Sequence, residues 1–428
     1  MQHGRTADAG AARTRRAAST GSLLVAAAAC VAAVGVVVPA TPASAAGTIP
    51  APPVVGELAT HIALEQLGKP YAWGGAGPDA FDCSGLTAYS WDTAAGADLS
   101  LVAATQASSD VVPTAGSSLE PGDLVFYDDP GVAGIAHVSL FAANDAGSVV
   151  ESADNPALPV RLQPMGWWTS PPVAMGRPLV PAADAGFPAA IQDAGSGYDL
   201  LRANGGVDNF GAPWHGSLAG RMPIGAGVDG VGLANEPTTG GYWILSSDGG
   251  VSNFDAPWFG SPRASGGPGA NTVANPAVAI AAGHQGVGYD VLRGNGGVDN
   301  FHTPWHGSLA GRLPAGTVAL GLAGDSATGG YWILTSDGGV SNFDAPWFGS
   351  PRASGTASLT NPVVAIAAEG GGYAVLFAGG GVETFGVAWA GSLAGRLPGD
   401  VMAIALAGVG GRAGYRILES DGQVASFS

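Results

Sequence analysis

Two periodicities divide the chain. Between residues 54 and 67, Val55, Leu58, Ala59, Ile62 and Ala63 recur every three or four positions, the spacing that lays one apolar stripe along a helix. Gly68 and Pro70 stop it. A glycine-rich stretch then leads to a second predicted helix, from Cys83 or Ser84 through Thr93, with Asp82 in N-cap position. After a weakly structured stretch, Ala94 to Leu119, the pattern turns extended. Leu124 to Tyr127, Gly134 to Ala143 and Ser148 to Ser152 are predicted strands, with a turn at Asn144-Asp145-Ala146-Gly147 before the third.

The second half repeats. Tyr198, Tyr242, Tyr289, Tyr331, Tyr373 and Tyr415 mark six units, spaced 44, 47, 42, 42 and 42 residues apart. Twelve residues after each tyrosine stands a phenylalanine: Phe210, Phe254, Phe301, Phe343, Phe385 and Phe427. The inner spacing is fixed and the outer one is not, so each Tyr-to-Phe segment is a rigid element and the length changes fall in loops. Asn-Gly and Asp-Gly pairs inside it supply the positive φ of a tight hairpin turn. Another apolar segment precedes several hairpins, as at Ala277 to Ala281 and Val363 to Ala367, and a Trp-x-Gly-Ser segment follows five of them, at Trp214, Trp258, Trp305, Trp347 and Trp389. Three to four strands per unit is the size of a propeller blade, and blades must stack to bury their faces. A six-bladed β-propeller over 187–428 is expected, an open solenoid being the alternative. If the ring closes, a strand from near residue 187 is expected to complete the last blade. Units one and three share PWHGSLAGR, and units two and four share FDAPWFGSPRASG. The repeated Trp and Tyr are expected to fill the space between blades rather than to line sugar sites, and His215 and His306 to lie on the surface.

Composition narrows the setting. The chain has 428 residues, 11% charged and 46% hydrophobic, with net charge −17, which argues for at least two folded domains and against nucleic acid as a partner. Arg13, Arg15 and Arg16, the apolar run Leu23 to Val38 and Ala43-Ser44-Ala45 read together as a signal peptide over 1–45 and predict a secreted, extracellular or wall-associated protein. Cleavage would leave 12 basic and 32 acidic residues, net −20, and one cysteine, Cys83, with no disulfide partner. A lone thiol in an oxidising compartment is a candidate nucleophile. At the first turn of a helix it meets the positive end of the dipole, which favours thiolate. His137 and Glu151, on neighbouring predicted strands, can sit side by side and supply base and orienting group. Asp154 and Asn155 are nearby alternatives for the third member. No acidic turn has the density of a calcium loop, and no metal or cofactor is expected.

In order along the chain, YAWGG (71–75), FDCSG (81–85), PGDLVFY (121–127) and AHVSLF (136–141) resemble the NlpC-type bacterial cell-wall cysteine peptidases. The resemblance covers roughly residues 56–178. It implies a papain-like α+β catalytic domain there, with linkers at 46–55 and 179–186 and an all-β repeat domain following. It also implies cleavage of peptidoglycan stem peptides, often between D-glutamate and a diamino acid. Carried over, Cys83 matches the nucleophile, His137 the general base, and Glu151 the position of the third polar residue, often another His. Tyr71 matches a site tyrosine that helps polarise the attacked carbonyl. Asp82 and Ser84 flank the nucleophile, Ser84 offering an oxyanion-hole amide. Val102-Ala103-Ala104 stands where many relatives carry Arg-x-Ser, which leaves bond specificity open. The repeats resemble Gly-Tyr-Trp segments appended to secreted actinobacterial proteins, and suggest attachment to a cell-wall polymer or other surface ligand. An acyltransferase or amidase on the same scaffold, or a surface-binding protein with an idle catalytic domain, are the alternatives.

Overall fold

The computed structural model describes residues 48–428 except 52, 117–118, 130, 144–147, 153–154, 156, 169, 182–185, 223–227, 266–274, 315, 359, 399–400 and 411–412. The expected signal segment lies outside the described residues. Among the described residues no helix is long and apolar enough to cross a membrane.

The predicted stripe forms helix α1 (Pro53–Glu65), with Val55, Leu58, Ala59, Ile62 and Ala63 all buried. It packs on α2 (Cys83–Ala95). One side chain sets the start of α2. Asp82 accepts from the Gly85 N–H at 2.7 Å and from the Gly74 N–H at 2.8 Å, so it caps the helix and ties down the preceding loop. Gly96, at φ 61°, ends the helix in the left-handed conformation.

The helices cover one face of a seven-stranded antiparallel sheet. Its strands are β1 (Thr48–Pro50), β2 (Val111–Pro113), β3 (Leu124–Asp129), β4 (Val132–Ala143), β5 (Ser148–Glu151), β6 (Arg161–Pro164) and β7 (Pro172–Pro181), in the order β1-β7-β3-β4-β5-β6, with β2 also on β7. Alternation sorts the two faces. Leu124, Phe126, Val138, Leu140 and Val150 join the core under the helices, while Val125, Tyr127, Phe141 and Val149 turn the other way, against Met165, Trp167 and Trp168.

Two expectations need correction. The stretches assigned as linkers are partly strand, because Thr48–Pro50 pairs with 179–181 at the end of β7, and α1 already begins at Pro53. The stretch 94–119 is more ordered than its weak periodicity implies. Gln106 is fully buried and donates to Ser84 O at 3.1 Å and Ser100 O at 2.6 Å, which pins a short π-helical turn (Gln106–Asp110) to the start of α2.

The repeat region is all β, with six three-stranded antiparallel sheets among the described residues, each built from three consecutive strands. The first strands are Pro188–Asp193, Gly230–Asn235, Ala277–Ala282, Ala319–Gly324, Val363–Glu369 and Ala403–Gly408. Each lies against the next, and the last lies against the first. The sixth sheet already owns three strands, ending at Val424–Phe427, so the strand at 188 opens the first sheet instead of completing the last.

Side-chain contacts explain the fixed spacing. Each repeat tyrosine stands opposite the phenylalanine twelve residues on, as Tyr242 opposite Phe254 and Tyr331 opposite Phe343. The phenol of Tyr331 donates to Gly307 O of the previous Trp-x-Gly-Ser at 2.5 Å, and the other joints repeat this bond: Tyr242 to Gly216, Tyr289 to Gly260, Tyr373 to Gly349, Tyr415 to Gly391. Gly307 has φ 128°, and a Cβ there would lie 2.6 Å from the Phe343 ring. Tyrosine, phenylalanine and glycine thus form one joint between successive units.

The aromatic expectation holds for only part of the set. Tyr242, Tyr331, Trp243 and Trp332 are buried, but the five Trp-x-Gly-Ser tryptophans are exposed. His215 and His306 are partly exposed, with their rings tied down at the seam to the next unit. Their Nδ1 atoms lie 2.8 Å from Asp255 and Asp344 of the following unit, with the rings edge-on to Tyr242 and Tyr331.

The first strands surround a chamber of about 1040 Å³, which Glu57, Glu120 and Pro121 of the helix-and-sheet region also line. Nearby, Arg177 bonds Glu120 at 2.9 Å and Asp123 at 3.0 Å, and the charge of Asp229 from the repeat region also acts on it.

Candidate active site

Cys83 opens α2 and is partly exposed. Backbone N–H groups of Val138 and Ser84 lie against its sulfur, which places the thiol beside the β4 peptide that links His137 to Val138. Burial pushes the thiol up to about 11, with the charge of Asp82 adding to the rise and the two N–H groups opposing it. The thiolate expected from the helix dipole is therefore not the resting form: desolvation outweighs the dipole.

His137 and Glu151 meet as the strand reading foresaw. Both are fully buried, and His137 Nε2 is 3.8 Å from Glu151 Oε2 and 3.2 Å from Ser139 Oγ. The other ring nitrogen, Nδ1, is buried without a hydrogen-bond partner, so no thiol–imidazole bond is made in this state. The ring stacks on Trp168 at 4.3 Å and meets Trp167 edge-on at 5.8 Å. Burial in this box, helped by the nearby Arg161 charge, lowers the imidazole to about 3, so it is neutral at working pH.

Arg161 escaped the sequence reading. It sits directly across from Glu151 in the β5–β6 ladder, ion-pairs with Glu151 Oε1, and lies over the Trp167 ring at 4.9 Å. Burial raises the Glu151 carboxyl, and the Arg161 ion pair opposes that rise. Ser139 was missed as well, although a residue two beyond His137 in a strand shares its face. Of the alternatives to Glu151, Asn155 is exposed and accepts from the Ala157 N–H at 2.9 Å, and Asp154 lies outside the described residues.

The supporting positions divide. Asp82 is the helix cap. Ser84 places its hydroxyl on Leu101 O at 2.9 Å and Asp82 at 3.2 Å, and both its hydroxyl and its backbone N–H also lie against the Cys83 sulfur. Tyr71 is nearly buried and bridges to Phe81 in the loop before α2. Trp73 in that loop is 83% exposed, and Leu101 and Val102 are exposed beside the tie to Ser84. Among the described residues no cluster of His, Cys, Asp and Glu could hold a metal ion.

A family model described as the NlpC/P60 family matches residues 68–168. The site thus lies in an NlpC/P60 domain, which the all-β region follows. Similar proteins include "Probable endopeptidase p60" of Listeria seeligeri, 38% identical over 105 residues, which are 24% of this chain and 19% of that one. A protein of Mycobacterium tuberculosis, also named a probable endopeptidase, is 43% identical over 107 residues, 24% of this chain and 25% of that one. The chain thus spans about a fifth to a quarter of the length of these relatives. Among solved structures, the NlpC/p60 domain of the peptidoglycan hydrolase SagA is 30% identical with TM-score 0.25, covering 28% of this chain and 97% of that one. A Bacteroides thetaiotaomicron protein of unknown function has 11% identity and TM-score 0.36, covering 72% of this chain and 90% of that one.

Proposed function

We propose that this is a secreted, wall-associated cysteine endopeptidase acting on peptidoglycan stem peptides, with the D-glutamyl–diamino acid bond as target. The observation that carries the proposal is the placement of Cys83 at a capped helix start, beside the strand of a neutral histidine whose Nδ1 has no other partner. Nδ1 takes the thiol proton as Sγ attacks the peptide carbonyl, giving a tetrahedral oxyanion that collapses to a thioester and releases the amine, protonated by His137. Water, deprotonated by the same nitrogen, resolves the thioester. Glu151 and Ser139 hold Nε2 and fix the tautomer that leaves Nδ1 basic. The Ser84 N–H and the Tyr71 phenol are assigned to the oxyanion. Bound peptide completes desolvation and brings thiol and imidazole together, since catalytic hydrogen bonds of free enzymes are often long.

We assign the six sheets to a closed propeller that holds the enzyme at the wall. Supporting this, the first strands touch in cyclic order, and Asp193 of the first sheet pairs with Arg416 of the last and accepts from the Gly410 N–H at 3.1 Å.

The raised thiol and the unmade thiol–imidazole bond also favour an idle domain on a binding protein. Mass analysis of a defined muropeptide decides between them. The wild type is expected to release the two stem fragments and Cys83→Ala to release none. Intact muropeptide with the wild type would leave the binding protein, and products from the variant would remove Cys83 from the chemistry.

A further inference from the structure

The proposed chemistry makes no use of the tryptophans on the outside of the repeat region. Trp214, Trp258, Trp305, Trp347 and Trp389 are between 54% and 69% exposed, although each recurs at a fixed place in its unit. Three are held by the ring edge: the indole N–H of Trp258, Trp347 and Trp389 donates to the carbonyl of Val251, Val340 and Val382, at 3.2, 3.1 and 3.2 Å. The edge is pinned and the face is left to solvent. Such a side chain costs the fold an exposed apolar surface, and the joint between units, made by tyrosine, phenylalanine and glycine, does not need it.

A cavity of about 400 Å³ opens beside Trp347. It forms between two units, with Leu309 and Arg312 on one side and Ser341, Asn342 and Trp347 on the other. The same residues recur one pair of units earlier as Leu218, Arg221, Ser252, Asn253 and Trp258. The arginines are the distinguishing feature. Arg263 and Arg352 are bound to Asp248 and Asp337, whereas Arg221 and Arg312 are exposed and form no ion pair among the described residues. In a chain of net charge −17, the unneutralised Arg312 guanidinium beside the open Trp347 indole is placed to receive an anion, and the sequence repeats the same set at Arg221 and Trp258. An indole face takes the flat C–H face of a pyranose ring, a guanidinium takes a carboxylate in bidentate fashion, and the serine and asparagine offer hydrogen bonds to hydroxyls.

We infer that the Trp258–Arg221 and Trp347–Arg312 grooves are a pair of binding sites for an acidic polysaccharide, each seating one uronic-acid-type sugar. This names the ligand class of the wall-docking role proposed above and rests on it. Two such sites on one chain favour a long polymer over a short one through effective concentration.

The test uses the full chain carrying Cys83→Ala. The probes are oligosaccharides of galacturonic acid and of hyaluronan, with a neutral cello-oligosaccharide and poly-glutamate as controls. Tryptophan fluorescence and calorimetry are expected to show saturable binding of at least one acidic sugar, with the neutral sugar weaker and poly-glutamate failing to compete. Trp258→Ala with Trp347→Ala is expected to weaken binding about tenfold or more, and Arg221→Gln with Arg312→Gln to remove the preference for the acidic sugar. Both arginine side chains are exposed and form no ion pair among the described residues, so their loss keeps the test meaningful if the tryptophan variant fails to fold. No saturable binding of either acidic sugar, equal competition by poly-glutamate, or unchanged affinity in both double variants would overturn the inference. Co-sedimentation with purified walls separates the two levels. Walls retained equally by wild type and both variants would sink the grooves and keep the docking role, and walls not retained at all would sink the docking role.

Discussion

The charge on Arg161 decides how basic the central imidazole is. The guanidinium lies close enough to depress His137, and it holds one oxygen of Glu151, whose other oxygen faces Nε2. Arg161→Gln is expected to raise the imidazole, because a neighbouring positive charge that opposes its protonation is gone. If His137 acts as a neutral base, the acid limb of kcat/KM moves up by about one pH unit. A pH–rate profile with an unmoved limb would take Arg161 out of the electrostatics. Cys83, His137 and Glu151 stand out as candidates in the chain alone, because a lone thiol after an N-cap and two polar residues in apolar strands are conspicuous locally. Arg161, Ser139 and the two tryptophans around the ring could not. They matter only through the β5–β6 pairing and a short turn after β6, and nothing in their own neighbourhood marks them.

Helices and hairpins were legible where a period ran long enough. The stripe of α1 and the twelve-residue Tyr-to-Phe interval translate directly into a buried face and a strand register. Elements held by distant partners were not: β1 exists because the end of β7 offers it an edge, and the π-helical turn because Gln106 reaches α2. The joint between units gives a sharp test. Gly307→Ala puts a methyl group into the Phe343 ring at a backbone angle that alanine resists, and is expected to cost about 2–4 kcal/mol. Tyr331→Phe removes a buried hydroxyl bond and is expected to cost about 1–2 kcal/mol. Both act on one contact, so the double variant should fall short of the sum in chemical denaturation. Full additivity would mean that the two residues are not one joint.

The contact between the helix-and-sheet region and the repeats carries a pH signature. Burial pushes Glu57, which faces the chamber, up to about 7, with Glu120 adding to the rise. Burial likewise lifts Asp229 to about 7, against the pull of Arg177. An acid whose folded value is raised favours the fold while protonated. Its contribution is complete below the unfolded value of about 4–4.5 and is lost as pH rises through about 7. Melting temperature is therefore expected to be higher at pH 5.5 than at pH 8.5. Glu57→Gln should recover part of the loss at pH 8.5 and change little at pH 5.5, as read by calorimetry. An equal shift at both pH values would mean that Glu57 is ionised in the fold. None of this proximity was visible in the chain, where Glu57 and Asp229 are far apart and each looks like an ordinary surface acid.

The histidine–aspartate contacts join unit one to two and unit three to four, and these two couples repeat each other in sequence. Growth or loss by single units would set mismatched neighbours side by side, whereas a step of two keeps every seam between like partners. Natural length variants of this array are thus expected to differ by whole couples, each near the 89 residues from Tyr242 to Tyr331. Each such step would also add or remove one Trp–Arg groove, tying grip on the polymer to copy number.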